Sequence, residues 1–165
     1  MSGHTENSVE VDANIDTVWR LTNELERWPV LFTEYSKVEI VEHDGPRWRF
    51  RLTMHPDAQG NVWSWVSERI MDEARHRVVG RRIETGWFES MDITWTYEAL
   101  GNRTRMTWVQ DFSMRADSPF DDVAMTERIN RNTAIQIAHV RDEVERLAAR
   151  PMPSVGRHFA SVETP

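Results

Sequence analysis

The sequence predicts an α+β fold: a strongly curved, seven-stranded antiparallel sheet wrapped round one long C-terminal helix, with two short helices after the first strand and an interior cavity. Three observations predict it. Six segments between residues 36 and 114 alternate apolar and polar residues and are separated by short turns, which is the pattern of an antiparallel meander. From about Asp121 to Arg150 the chain holds no Gly or Pro and keeps one apolar face. Within residues 61–72, Trp63, Trp65, Ser67 and Arg69 share one face of a strand. A plain core has no use for a hydroxyl and a guanidinium behind two indoles. Arg keeps its proton inside proteins, and burying it unpaired is costly. One reading is therefore a cavity with aromatic walls and polar groups aimed at a guest. The other places Arg69 at the strand end, reaching solvent with its stem over Trp65. The strand alone favours neither.

The elements follow in order. Residues 8–13 alternate as a first strand, and Asn14 or Asp12 can cap a helix over about 14–22, where Ile15, Val18, Trp19 and Leu21 recur at helical spacing. Glu24–Phe32 reads as a second short helix limited by Pro29, because Trp28 before proline is disfavoured in the helical region. The sheet continues over 36–44, ended by Asp44-Gly45-Pro46. Over 47–54, Trp48, Phe50, Leu52 and Met54 alternate with Arg47, Arg49, Arg51 and Thr53. After the loop 56–60 come strands over 61–72 and 75–85. Then Met91, Ile93, Trp95 and Tyr97 make one inward face, and Met106, Trp108, Gln110, Phe112 and Met114 the next, joined through a Gly101-Asn102 turn. Asp117-Ser118-Pro119 ends the last strand and caps the long helix. Ile129, Thr133, Ile137, Val140, Val144 and Leu147 form that helix's apolar face, and Pro151 and Pro153 stop it. Residues 1–150 thus make one domain and 151–165 a tail.

Composition narrows the function. The formal charge is −7, from 20 basic and 27 acidic residues, which argues against general nucleic-acid binding. There is no Cys, hence no disulfide frame and no thiolate chemistry. No signal peptide and no apolar run near the ~20 residues of a membrane span is evident, so a soluble, cytoplasmic protein is expected. The six His are scattered without ligand spacing, and no Gly-rich phosphate loop or nucleophile elbow occurs. No metal and no cofactor is expected. The anomaly is eight Trp against two Tyr. Several indoles in a small domain either line a pocket or fill a large core.

Trp28-Pro29, Phe32-Thr33-Glu34-Tyr35, the run Trp63-Ser64-Trp65-Val66-Ser67-Glu68-Arg69, the Met91–Trp95 strand and Trp108-Val109-Gln110-Asp111-Phe112 carry a resemblance. Over about residues 8–150 the chain resembles the helix-grip proteins of the Bet v 1/START superfamily. More narrowly it resembles the monodomain aromatase/cyclases of bacterial type II polyketide synthases, of the tetracenomycin and spore-pigment type. That resemblance implies a linear poly-β-ketone guest on the phosphopantetheine arm of an acyl carrier protein, other synthase subunits as partners, and neither nucleic acid nor membrane. It implies aldol closure of the first ring between C9 and C14, then dehydration to an aromatic. It implies catalytic roles for Arg69 and Tyr35, and a pocket wall of Trp28, Trp65, Ser67, Trp95, Trp108, Gln110 and Gln136. Trp63, Arg82 and Met91 join the candidate substrate-binding set from their strand faces.

The chemistry suits those residue types. A floppy poly-ketone has many wrong folds, and a rigid aromatic slot removes much of that entropic barrier. Arg69 offers a fixed fork of donors to the new oxyanion. Tyr35, its pKa expected to fall beside a guanidinium, delivers the proton that lets hydroxide leave. Ser67, Gln110 and Gln136 position carbonyls. The bland alternatives are a Tyr35 that is only a half-buried aromatic, Trp95 and Trp108 as ordinary core, and a Gln110 paired with backbone. Arg47, Arg49, Arg51, Arg75, Arg77 and Arg81 are expected to be mostly a solvated sheet face, the competing reading being a basic patch for an acidic carrier. The parity of Arg82 leaves its direction open. A non-catalytic lipid, quinone or polyketide carrier of the same fold is the alternative function, and the polar set around Arg69 favours the enzyme.

Overall fold

The structure, a computed structural model, describes residues 2–149. The expected tail at 151–165 lies outside the described residues. Strand β1 (Gly3–Val11) is followed by helix α1 (Ile15–Asn23), a 3-10 turn over Leu25–Arg27 and a one-turn helix α2 (Trp28–Leu31). Strands β2 (Tyr35–Asp44), β3 (Arg47–Met54), β4 (Ser64–Asp72), β5 (Arg77–Arg82), β6 (Phe88–Leu100) and β7 (Arg103–Met114) then run antiparallel, and helix α3 (Asp122–Ala148) closes the described chain. The sheet order is β1-β7-β6-β5-β4-β3-β2, so the six later strands form the expected meander and β1 adds beside the last of them.

Local chemistry explains the boundaries. Asn14 caps α1 by accepting the Thr17 amide at 2.9 Å. Asp121 caps α3 by accepting the Ala124 amide at 2.8 Å, three residues beyond the expected Ser118 region. Trp28 is helical, at φ −57° and ψ −33°, against the expectation from the following proline. Pro29 falls in the first turn of α2, where its missing N–H needs no partner. β1 starts at Gly3 rather than residue 8, because β7 offers partners for the whole polar stretch, from Phe112 opposite Gly3 to Thr104 opposite Val11. Pairing, not hydrophobicity, makes residues 3–7 a strand.

Register irregularities at Tyr35/Lys37 and Ile40/Glu42 in β2, and at Phe88/Ser90 in β6, bend the sheet. Its concave face holds α3, which tracks β1: Asn7 donates to Asn130 at 3.1 Å, and the Asp12 amide donates to Glu145 at 2.8 Å. Gly3 lets the helix close in, since a Cβ there would stand 2.2 Å from the Phe112 ring and 2.6 Å from the Thr126 hydroxyl. The C-terminal half of α3 buries Ile137, Val140 and Val144 in the main core with Val11, Val18, Leu21 and Met106. Near its start, Met125 packs on a smaller cluster of Phe88, Met91, Phe112 and Met114. Polar residues lie between these clusters, and the sheet is not filled there.

On the convex face the arginines of β3, with Arg81 of β5, are largely neutralised. Glu68, 6% exposed, takes hydrogen bonds from Arg49 (2.8 Å), Arg81 (3.1 Å) and Arg47 (3.3 Å), and Arg51 pairs with Glu84 at 3.0 Å. Both Arg49 and Arg81 are its ladder neighbours, so sheet register builds the cluster. The expected free basic patch on this face is therefore mostly an ion-pair network.

Burial opposes the charge of Glu68, but the three guanidinium hydrogen bonds outweigh it and hold the pKa below the ordinary carboxylate value. A depressed carboxylate stabilises the fold above its unfolded pKa, and the contribution is lost as pH falls through the folded value. Glu68→Gln should cost roughly 1–2 kcal/mol near neutral pH, because charge-assisted bonds are lost while the arginines keep part of their hydration. Thermal melts across pH 3–7 check this: the variant should lie below wild type at pH 7 and converge with it in acid.

Candidate active site

Between the two core clusters lies an interior cavity of about 170 Å³. One water fills only about 10–15 Å³ of such space, so this is room for a ligand and not a packing fault. Three parts of the chain build it: the inner faces of β3 to β7, the segment from Trp28 to Tyr35, and one face of α3.

β4 points Trp65, Ser67 and Arg69 inward, as its parity predicts. Arg69 is 4% exposed, which overturns the reading that it reaches solvent. Nη2 donates to the Asn23 side chain at 2.9 Å, and among the described residues Nε is buried without a partner and no carboxylate pairs with the guanidinium. Instead its guanidinium lies over the Trp28 ring, 4.9 Å from the centroid, and near the Trp95 ring at 5.8 Å. Burial lowers its pKa, against the opposing influence of the Tyr97 and Tyr35 phenols. Gly80 sits opposite Arg69 in the ladder, where a Cβ would meet the Glu68 carbonyl at 3.0 Å and the Arg69 stem at 3.7 Å. The missing side chain spares the Glu68 carbonyl a tight contact in the β4–β5 ladder.

Arg82 turns inward, which its sequence parity left open. It lies over Trp65 at 4.3 Å and Phe88 at 5.2 Å. Its Nε is also buried and unpartnered, and burial lowers its pKa to about 10. Both guanidinia therefore face the cavity against aromatic rings, and among the described residues neither forms an ion pair, although the Glu84 charge still acts on Arg82.

Tyr35 stacks at 15° on Trp28, 6.1 Å between centroids. The expected fall of its pKa does not occur. Burial, reinforced by the Glu34 carboxylate, raises it above the ordinary phenol value, and Arg82 and Arg69 only partly offset this. Tyr35 is thus a neutral phenol across physiological pH. Trp95 and Trp108 stack at 4.6 Å along the floor, and the Trp108 indole N–H is buried without an acceptor. Gln110 donates to Thr133 of α3 at 2.7 Å, and Met91 joins the wall from the smaller cluster.

Two expected wall residues lie elsewhere. Trp63 precedes β4 and is half-exposed, with its indole N–H on the Asp57 carboxylate at 3.1 Å. That carboxylate also takes the Gln59 and Asn61 amides, and this loop turns Trp63 out of the strand's alternation. Gln136 is buried but outside the lining. It clamps Thr33, donating to the hydroxyl at 2.6 Å and accepting the amide at 3.0 Å. Asn132 donates to Glu34 at 2.8 Å, and His139 donates to the Leu31 carbonyl at 2.7 Å. Residues 132, 136 and 139 share one face of α3 and hold the segment 31–34 that carries the Trp28–Tyr35 wall.

Glu34, Asn132 and Thr133 line the cavity without having been expected there. Thr133 carried a signal, as a hydroxyl in an apolar helix stripe. Glu34 and Asn132 carried none, because each is ordinary surface chemistry until the other faces it. Burial raises the Glu34 pKa above the ordinary carboxylate value, only partly offset by the Asn132 hydrogen bond and the Arg128 charge. The site therefore gathers two cationic forks, a neutral phenol, a carboxylate of raised basicity and flat apolar walls. That set can hold a planar, carbonyl-rich guest, stabilise an oxyanion and move a proton.

No helix among the described residues is long and apolar enough to cross a membrane. The family model described as polyketide cyclase/dehydrase and lipid transport matches residues 11–140. A candidate polyketide cyclase of Streptomyces cyaneus is 52% identical over 148 residues, covering 90% of this chain and 97% of that protein. Another from Streptomyces halstedii is 53% identical over 109 residues, 66% of this chain and all of that one. Among solved structures, the Zhui aromatase/cyclase from Streptomyces sp. R1128 superposes with a TM-score of 0.78 at 26% identity, over 88% of this chain and 95% of that one. A cavity of this make-up in this fold, with relatives at this identity over nearly their whole length, has one consequence: the chain belongs to the polyketide cyclase/dehydrase and lipid transport family.

Proposed function

We propose that the protein is an aromatase/cyclase that receives a linear poly-β-ketone on an acyl carrier protein, closes its first ring by an aldol reaction, and dehydrates that ring to an aromatic. The observation that carries this reading is the pair of cavity-facing guanidinia, Arg69 buried and Arg82 half-buried with a buried Nε, neither of which pairs with a carboxylate among the described residues. A cation buried unpaired is costly, and a guest rich in carbonyl and enolate oxygens offsets that cost. An apolar lipid would leave both unsatisfied. Closure between C9 and C14 rests on the likeness of the Trp65–Arg69 run and Gln110 to the tetracenomycin-type enzymes.

The steps follow from the residues. Glu34, as a base of raised pKa, removes a proton from a methylene between two ketones. The resulting enolate carbon forms a bond to a ketone carbon held against the indoles. The carbonyl pair moves to oxygen, and Arg69 holds that oxyanion. Tyr35 gives it a proton. The Tyr35 phenolate then takes a second α-proton, the protonated Glu34 gives its proton to the new hydroxyl, which leaves as water as the double bond forms, both side chains return to their starting states, and enolisation completes the aromatic ring. Arg82 and Ser67 hold carbonyls away from the reacting pair.

Reconstitution with a minimal polyketide synthase and its carrier tests the reading. Wild-type protein should replace the spontaneous mixture by one product with a defined aromatic first ring, and an unchanged mixture would refute the enzyme. Arg69→Ala should lower formation of that product by about 10²–10³-fold with the fold retained, and product analysis beside a circular dichroism melt checks both.

Glu34 must be ionised to act, so the rate should rise with pH through its raised pKa. Glu34→Gln should lower the rate by at least about 10²-fold and abolish that acidic limb. A rate–pH profile of both proteins decides it. The linked stability runs the other way. A carboxyl raised by folding stabilises most below its unfolded pKa, and this is lost as pH rises through the folded value. Melting temperature against pH should therefore slope less in Glu34→Gln.

A further inference from the structure

The arginines divide by whether they are paired. Those of β3, with Arg81, pair with Glu42, Glu68 or Glu84, and Arg20, Arg27, Arg75, Arg105, Arg115, Arg141 and Arg146 each pair with a nearby acid. Among the described residues, Arg69, Arg77, Arg82, Arg103, Arg128 and Arg131 have no such partner. Arg69 and Arg82 face the cavity. Arg128 and Arg131 lie one turn apart on the exposed face of α3.

With Asn132, the 60% exposed Ile135 and Glu34, these two arginines enclose a surface groove. Glu34 and Asn132 also line the cavity, so their 2.8 Å hydrogen bond forms a sill common to both. Two like charges one turn apart repel, and among the described residues neither forms an ion pair, the Glu34 carboxylate in the same groove attracting Arg128 without a direct bond. Arg128 instead lies against the Phe120 ring at 5.3 Å. In a chain of charge −7 that pairs most of its other arginines, two free cations beside an exposed isoleucine at the cavity's sill are suited to an acidic partner carrying an apolar contact.

We propose that this groove docks the acidic carrier protein, with the phosphodiester of its prosthetic arm between Arg128 and Arg131 and the arm passing over the Glu34–Asn132 sill. The proposal rests on the reading that the substrate arrives tethered. It moves the docking site from the convex sheet face, where Glu68 and Glu84 occupy the arginines, to the helix beside the opening.

The test is binding of a phosphopantetheinylated type II acyl carrier protein, measured by titration at several salt concentrations. Wild-type protein should bind it with an affinity that falls as salt rises. The double variant Arg128→Glu/Arg131→Glu should bind at least tenfold more weakly and lose that salt dependence. Arg128→Lys/Arg131→Lys should retain binding to within a few-fold, and Arg77→Glu/Arg103→Glu should bind as wild type does. Undiminished binding by the Arg128/Arg131 reversal, or equal weakening by the Arg77/Arg103 reversal, overturns the proposal, as does a wild type that binds no carrier. Because the readout is binding and not ring closure, those failures leave the cyclase reading standing. Protein that binds the carrier without altering its products fails the cyclase reading alone.

Discussion

Two guanidinium groups held against the inner face of the sheet, neither paired with a carboxylate among the described residues, set the terms for the rest of the structure. Arginine cannot shed its charge by losing a proton, so the fold must make the interior tolerable for it. Here the faces of Trp28 and Trp95 receive Arg69, and those of Trp65 and Phe88 receive Arg82. Cation–π contacts of this kind compensate only in part, and each Nε remains without a partner. The unmet donors make the cavity receptive to oxygen-rich guests. The same aromatic faces that shelter the cations give it flat walls. The Trp-rich composition and the buried arginines are thus one feature.

Holding such a cavity open requires that its walls be supported from elsewhere. The sheet supplies rigid inner faces through the β4–β7 ladders. The Trp28–Tyr35 segment has only a one-turn helix of its own, and α3 fixes it with the Gln136, Asn132 and His139 side chains at three points. The same helix contributes Thr133 to the site and Arg128 and Arg131 to its approach. One long helix therefore closes the core at its C-terminal half, orders the aromatic wall in the middle, and faces solvent charge at the opening. Its unbroken length from residue 122 to 148 is what links these three tasks.

Burial also redirects the acid–base chemistry. A phenol beside two guanidinia is easily assumed to be acidified, yet desolvation of Tyr35 is the larger effect and keeps it neutral. The half-buried Glu34 is made more basic by the same desolvation. Two neighbours in sequence thus bring a neutral phenol and a carboxylate of raised pKa to the site, one fully turned into the aromatic wall and the other at its edge.

The sequence by itself determined the architecture and most of the site. Alternation, turn residues and a helix free of Gly and Pro are local properties, so the meander, the long helix, and the strand faces shared by Trp65, Ser67 and Arg69 and by Trp108 and Gln110 were legible from spacing alone. The part of β1 before residue 8 was not, since its strand state comes from pairing with β7 and not from its own polar residues. Tertiary structure alone decided that Trp63 turns out to Asp57, that Gln136 is a clamp, that Arg82 points inward, and that Glu34 meets Asn132 across 98 residues. It also decided which arginines are free, because ladder register gives Glu68 three of them and leaves none for Arg69 or Arg82. Periodicity fixes the face on which a side chain lies. Its partner and its charge state depend on distant residues and on burial, and these exist only once the chain has closed on itself.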